Sequence, residues 1–255
     1  MAASHFVWYE LMTPDAAAAA AFYARAVGWQ AEDSGVPGVR YTLFKVGDAQ
    51  VAGLMATPGE LHAMGVPPSW GGYLFVDDVD AAEARVLAAG GKVIRPADDI
   101  PGVGRFAVVC DPQGAAFSLF KPARHDPPPR PAAGAPGTMG WHELRAVDGA
   151  AVWDFYATMF GWTKAEALPM GALGTYQIFA IDGVPSGAIM TKEDDQPAPA
   201  WRFYTRVADI QAAAERVREQ GGTITMGPSE VPGGNWVLNA RDPQGAVFAL
   251  MAAGA

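Results

Sequence analysis

Two glutamates carry the sharpest chemical signal in this sequence. Glu10 lies in Trp8-Tyr9-Glu10-Leu11 and Glu143 in Trp141-His142-Glu143-Leu144. Side chains alternate between faces along a strand. Read as strands, these segments turn Trp8 with Glu10 to one face and Trp141 with Glu143 to another. Tyr9 and His142 then face helices or solvent. A carboxylate among aromatic rings is desolvated, which raises its proton affinity toward the range useful to a general base. Such a base takes a proton from the carbon next to a carbonyl. Arg202 could stabilise the enolate or carboxylate oxygen. The plainer reading is that each glutamate pairs with a nearby arginine or meets water at the rim.

The motif recurs because the chain repeats itself. Trp8 and Trp141 stand 133 residues apart, as do Phe22-Tyr23 and Phe155-Tyr156, and Gly28-Trp29 and Gly161-Trp162. Asp111-Pro-Gln-Gly-Ala-Ala-Phe117 returns 131 residues later as Asp242-Pro-Gln-Gly-Ala-Val-Phe248. So small a drift means loop insertions and deletions within a duplicated domain. Between the copies lies Pro127-Pro-Pro-Arg-Pro131, which favours an extended spacer. The expected division is a domain over 1–125, a linker over 126–136 and a second domain over 137–255.

Each copy divides again. A strand over 5–12 leads to a helix opening at Thr13-Pro14-Asp15, with Pro14 in its first turn. In the second copy Val152, Phe155, Tyr156, Met159 and Phe160 mark one buried helix face, and Gly28 and Gly161 read as C-caps. Strands follow near 39–47 and 50–57. A strand over 70–77 precedes a capping box at Asp80-Ala-Ala-Glu83 and a helix over 80–89. Strands over 92–95, 104–110 and 115–121 follow, and a helix over 210–220 holds the matching place in the second copy. The chain therefore reads as α+β, with four βαβββ units. A lone unit leaves a sheet face bare, so units must pair to enclose a core or a cleft.

These units, the Phe-Tyr…Gly-Trp helix ends and the Asp-Pro-Gln-Gly turn resemble the vicinal oxygen chelate superfamily. That group holds glyoxalase I, bleomycin and fosfomycin resistance proteins and extradiol dioxygenases. The resemblance covers nearly the whole chain and implies tandem glyoxalase/bleomycin-resistance domains in two pseudo-two-fold-related halves. It also implies a metal, held on the first strand, at the matching place in the next unit and after the last turn. Here those positions are Trp8, Gly71 and Ser118, and in the second copy Trp141, Arg202 and Ala249. None of these is a good divalent-metal ligand. His5, His62, His125 and His142 form no ligand-spaced pair. The expectation is no metal and no other cofactor. Strand parity adds Tyr73 and Tyr204 to the cleft face beside Gly71, Ser118, Arg202 and Ala249. It turns Phe117, Leu119, Phe248 and Leu250 to the core. Trp8, Tyr73, Ser118, Trp141, Arg202 and Tyr204 are thus the expected ligand contacts, with Glu10 and Glu143 as bases.

Composition limits the partners. The formal net charge of −9 repels nucleic acid and anionic lipid, and no lysine or arginine run offsets it. Cys110 is the sole cysteine, so no internal disulfide or thiolate zinc site forms. No signal-peptide pattern opens the sequence, and the cytoplasm is the expected location. The expected partner is a small molecule, with no nucleic acid and no membrane, bound by a monomer with an internal pseudo-dimer or by a homodimer. Three functions compete: an enzyme acting on a small carbonyl or aromatic compound, an antibiotic-like sequestering protein, and a scaffold with a filled cleft.

Overall fold

The fold is that of a computed structural model describing residues 3–36, 38–123, 129, 131–194, 196 and 198–254. His125 and much of the expected linker (126–128 and 130) lie outside the described residues. The first quarter holds β1 (Phe6–Thr13), α1 (Ala16–Ala26), β2 (Gln30–Asp33), β3 (Tyr41–Val46), β4 (Ala49–Ala56) and the short α2 (Gly59–Ala63). The second holds β5 (Ser69–Phe75), α3 (Val79–Ala88), β6 (Lys92–Ile100), β7 (Gly104–Cys110) and β8 (Ala116–Pro122). The third holds β9 (Met139–Ala146), α4 (Trp153–Phe160), β10 (Thr163–Pro169), β11 (Thr175–Ile181) and β12 (Val184–Thr191). The fourth holds β13 (Ala200–Arg206), α5 (Ile210–Glu219), β14 (Thr223–Glu230), β15 (Trp236–Arg241) and β16 (Val247–Ala252). In every quarter the last three strands form an antiparallel meander, and the final strand pairs parallel with the first. The helix supplies the crossover that a parallel pair requires. The architecture is α+β, with four βαβββ units.

One apolar stripe per helix explains the packing. Ala19, Phe22, Tyr23 and Ala26 are buried on α1, and Ile210, Ala213, Ala214 and Val217 on α5. Phe117, Leu119, Phe248 and Leu250 are buried on the expected core face of their strands. The helix starts differ from expectation in two places. Asp15 is the N-cap of α1, accepting from Ala18 N at 3.0 Å, so Pro14 precedes the cap instead of lying in the first turn. The cap of α3 is Asp78, which accepts from Ala81 N at 3.0 Å. Asp80 instead pairs with Arg105 on β7 at 2.7 Å, and Glu83 accepts from Ala97 N at 2.8 Å. No capping box forms, because both acidic side chains find partners on the neighbouring strands. Two strands absent from the sequence reading, β2 and β10, are exposed along nearly their whole length. Strand β6 runs five residues beyond its expected end at 95, again with a mostly exposed pattern. Among the described residues no helix is long and apolar enough to cross a membrane.

The chain clusters into two compact units that interleave the sequence. One comprises Met1–Val7, Gly71–Pro127 and Trp141–Arg202, the other Trp8–Trp70, Pro128–Gly140 and Phe203–Ala255. Each unit therefore draws most of one quarter from each sequence half. The Asp-Pro-Gln-Gly turn joins those quarters inside a unit. In one, Asp242 Oδ1 accepts from Gln244 N and Ala246 N, both at 2.9 Å. Its Oδ2 accepts from the Tyr23 hydroxyl of α1 at 3.1 Å, and Trp70 Nε1 donates to that hydroxyl at 2.9 Å. Gln244 Oε1 accepts from Thr13 Oγ1 at 2.6 Å and Asp15 N at 2.7 Å, and its Nε2 donates to Asp15 O at 2.8 Å. The other unit repeats the pattern: Tyr156 donates to Asp111 Oδ2 at 2.9 Å, and Gln113 exchanges two 2.8 Å bonds with the Asp148 backbone.

Burial raises the pKa of Asp242, partly offset by its backbone and Tyr23 hydrogen bonds. A carboxyl whose folded pKa exceeds its unfolded one favours the folded state most when protonated. That advantage fades as pH rises from about 3.8 through the folded value. Asp242→Ala strands three donors and should cost about 2–4 kcal/mol at neutral pH in denaturant unfolding. Asp242→Asn keeps the neutral shape, so the stability of the wild type relative to this variant should fall on raising pH across that window.

Candidate functional site

Strand β1 turns Trp8 and Glu10 to the same face, as parity predicts. Between them a third residue intervenes, one that sequence reasoning missed. Trp8 Nε1 donates to the Tyr41 hydroxyl at 2.9 Å, and that hydroxyl donates to Glu10 Oε2 at 2.8 Å. Tyr41 opens β3, and its ring lies over Gly53 of β4, which pairs with Glu10. A Cβ at Gly53 would overlap the Tyr41 hydroxyl, so glycine leaves the space in which the hydroxyl bridges indole and carboxylate.

The same triplet stands in the second half. Trp141 Nε1 donates to the Tyr176 hydroxyl at 2.8 Å, and Tyr176 donates to Glu143 Oε2 at 3.2 Å. Here cations join it. Arg145 Nε donates to Glu143 Oε1 at 2.8 Å and its Nη1 to Glu193 Oε2 at 2.6 Å. Arg202 Nη1 lies 3.7 Å from Glu143 Oε1. The Glu143 and Arg145 side chains are nearly sealed, at 5% and 10% exposure. Burial alone opposes the charge of Arg145, but the Glu143 and Glu193 carboxylates outweigh it and raise its pKa. The plainer sequence reading, a glutamate paired with arginine, therefore describes Glu143. In the repeat, Arg145 corresponds to Met12 and Arg202 to Gly71.

The remaining expected contacts lie on the parallel strand pairs. Tyr73 on β5 sits opposite Ser118 on β8, and Val108 on β7 lies on the far side of Ser118. In the fourth quarter the same row is Tyr204, Ala249 and Asn239. Polarity has moved one strand across, from Ser118 to Asn239. Asn239 is 3% exposed, and its Oδ1 is buried with no hydrogen-bond partner among the described residues. Parity along β15 would have flagged it, since Leu238 and Ala240 are fully buried on the opposite face. Tyr9 packs edge-on against Phe203, and burial raises its pKa. His142 stacks on Phe6 with centroids 4.4 Å apart, its Nδ1 lying 2.7 Å from Ser186 O. Two surface grooves, of about 370 and 260 Å³, are lined by none of the expected contacts.

The chain belongs to the Glyoxalase/Bleomycin resistance protein/Dioxygenase superfamily, whose model matches residues 5–119 and 138–250. CFP32 of Mycobacterium tuberculosis (strain CDC 1551 / Oshkosh), provisionally named a glyoxylase, is 31% identical, covering 96% of this chain and 93% of its own. The anthracycline biosynthesis protein DnrV of Streptomyces peucetius is 33% identical, covering 96% of this chain and 91% of its own. Among solved structures, the Mn(II)-bound glyoxalase of Novosphingobium aromaticivorans superposes with a TM-score of 0.66 at 20% identity, covering 98% of this chain and 82% of that one. The 2,3-dioxygenase LapB of Pseudomonas sp. KL28 gives 0.67 at 14%, covering 100% and 94%.

The residues at the family's metal positions do not fit a divalent cation. Trp8 and Trp141 direct their N–H groups at tyrosine hydroxyls, and an indole nitrogen has no lone pair to offer. Gly71 and Ala249 bring no donor atom, Arg202 brings positive charge, and Ser118 a single hydroxyl. Among the described residues no cluster of three or more His, Cys, Asp or Glu is arranged to hold a metal.

Two substitutions test the local energetics. Arg145→Met leaves Glu143 buried without its closest cation and should cost about 3–5 kcal/mol in denaturant unfolding, whereas Arg95→Met, an exposed pair, should cost under about 1 kcal/mol. Gly53→Ala should displace Tyr41, costing about 1–3 kcal/mol and shifting the fluorescence of Trp8.

Proposed function

We propose that this chain binds a small carbonyl-bearing or aromatic molecule without a divalent metal. Glu10 takes a proton from the carbon beside the ligand carbonyl. The observation that carries the reading is the duplicated hydrogen-bonded triplet, Trp8–Tyr41–Glu10 and Trp141–Tyr176–Glu143. Each sets a carboxylate beside an indole, and the tyrosine fixes the carboxylate's direction. An indole face stacks on planar ligands, and an oriented carboxylate is the simplest base for removing such a proton. In this reading Tyr73 and Ser118 are further contacts, as are Trp141, Arg202 and Tyr204. Glu143, expected as a second base, accepts hydrogen bonds from Arg145 and Tyr176 and in this reading orients its neighbours instead.

A non-catalytic sequestering role is the second reading. It draws on the DnrV relative, named for anthracycline biosynthesis, since anthracyclines are fused-ring aromatic carbonyl compounds. The two readings part at Glu10. With chelator-treated full-length protein and 2-tetralone as probe, NMR follows exchange of the protons beside the carbonyl in heavy water. The enzyme reading expects protein-accelerated exchange that falls about 10²–10⁴-fold in Glu10→Gln, with 2-tetralone affinity changed less than about threefold. A sequestering protein shows tight binding, no acceleration and no effect of the substitution on either. Exchange that stops on chelation and returns with added manganese, iron or zinc would overturn the metal-free reading.

A further inference from the structure

We propose that the second half holds a carboxylate-bearing ligand on the side-on edge of Arg202, so the two halves take ligands of different charge. This deepens the function proposed above and rests on the second half being a binding site. Arg145 is fully engaged: its Nε meets Glu143 at 2.8 Å and its Nη1 meets Glu193 at 2.6 Å. Arg202 is not. Its nearest anion is Glu143 Oε1, 3.7 Å from Nη1, which is beyond hydrogen-bond reach. Its side chain is only 12% exposed, and Nε is sealed from solvent with no acceptor among the described residues. Two parallel N–H groups, Nε and Nη2, form the edge of a guanidinium that a carboxylate grips with both oxygens. In Arg202 that edge points away from the contact with Glu143.

The charge balance agrees. The inner group of Arg145, Arg202 and Glu143 has a net charge of +1, while Glu193 is about half exposed (47%) and screened by water. One further anion neutralises the inner group. In the first half the corresponding positions are Met12 and Gly71, which carry no charge. Glu10 keeps its carboxylate there with no cation at those two positions, so an anionic ligand is disfavoured in that half and favoured in the other.

The test uses full-length protein and two probes, anionic 2-naphthoate and neutral 2-tetralone, titrated by calorimetry. One naphthoate should bind per chain. Arg202→Met should weaken naphthoate at least thirtyfold. Arg202→Lys should weaken it about tenfold, because an ammonium keeps the charge and loses the fork. The exposed Arg218→Met should leave it unchanged. Both Arg202 variants should keep the far-ultraviolet circular dichroism and the denaturant midpoint of the wild type, which shows that they fold, and any 2-tetralone bound in the first half beside Glu10 should be held as in the wild type. Naphthoate binding to either Arg202 variant at wild-type strength overturns the proposal. So does wild-type protein that binds tetralone and ignores naphthoate, which leaves the first-half reading intact. Arg202-dependent naphthoate binding without any tetralone binding supports the proposal and removes the neutral-ligand reading alone. Failure of both probes removes both.

Discussion

The hydrogen bond from a helix tyrosine to the aspartate of an Asp-Pro-Gln-Gly turn, Tyr23 to Asp242 in one unit and Tyr156 to Asp111 in the other, is the constraint on which the rest depends. Each bond joins the first helix of one sequence half to the last turn of the other half. The glutamine of the same turn extends the lock to the helix start. Gln244 grips Thr13, the end of β1, and Asp15, the cap of α1. Trp8 and Glu10 stand on that strand a few residues earlier, so the turn fixes the height and rotation at which they are presented. Burial intensifies the constraint: an unpaired aspartate there would leave a charge and several donors stranded.

Once position is fixed, the two halves are free to differ in charge. Both keep the indole, the phenol and the carboxylate, and both use the phenol as bridge. In the second, Arg145 donates to the carboxylate and Arg202 lies beside it, and these cations change what the carboxylate can do. Glu143 accepts on Oε1 from Arg145 and on Oε2 from Tyr176, which occupies lone pairs that a base needs. Gly71 in place of Arg202 and Met12 in place of Arg145 remove both cations from the first half. Duplication has thus kept a geometry while separating two electrostatic settings.

Much of this was legible in the sequence. The repeat, the four βαβββ units and the shared face of Trp8 and Glu10 follow from residue spacing, and the core face of β8 and β16 from strand parity once the family resemblance names the cleft face. What escaped did so for identifiable reasons. The strands β2 and β10 are exposed on both faces, so they lack the alternation that marks a strand. The cap at Asp78 lies two residues before the better sequence match at Asp80, whose side chain, like that of Glu83, reaches a neighbouring strand instead. Tyr41 and Tyr176 repeat at a spacing of 135, two more than the Trp motifs, and so fell outside the offset that revealed the duplication. Asn239 stands where the first half has Val108, and strand parity places it on the cleft face, but that its Oδ1 is buried without a partner among the described residues shows only in three dimensions. Loop-borne drift and long-range pairing are both invisible to a local pattern.

The positions at which the family resemblance places metal ligands are each tied to a neighbouring residue, so no single change would build a metal site there. A histidine at 141 would remove the donor that orients Tyr176, and Tyr176 in turn helps hold Glu143. An incoming cation would also face the positive charge of Arg202, which lies 3.7 Å from Glu143 Oε1. A glutamate at 249 would meet a fully buried alanine site beside Tyr204 and Asn239, where a larger side chain has to displace its neighbours. Each family position is thus tied to a local network that depends on the present residue. In the proposed function the hydrogen-bonded triplet and the guanidinium orient and polarise a small ligand on a fold shared with a Mn(II)-bound glyoxalase.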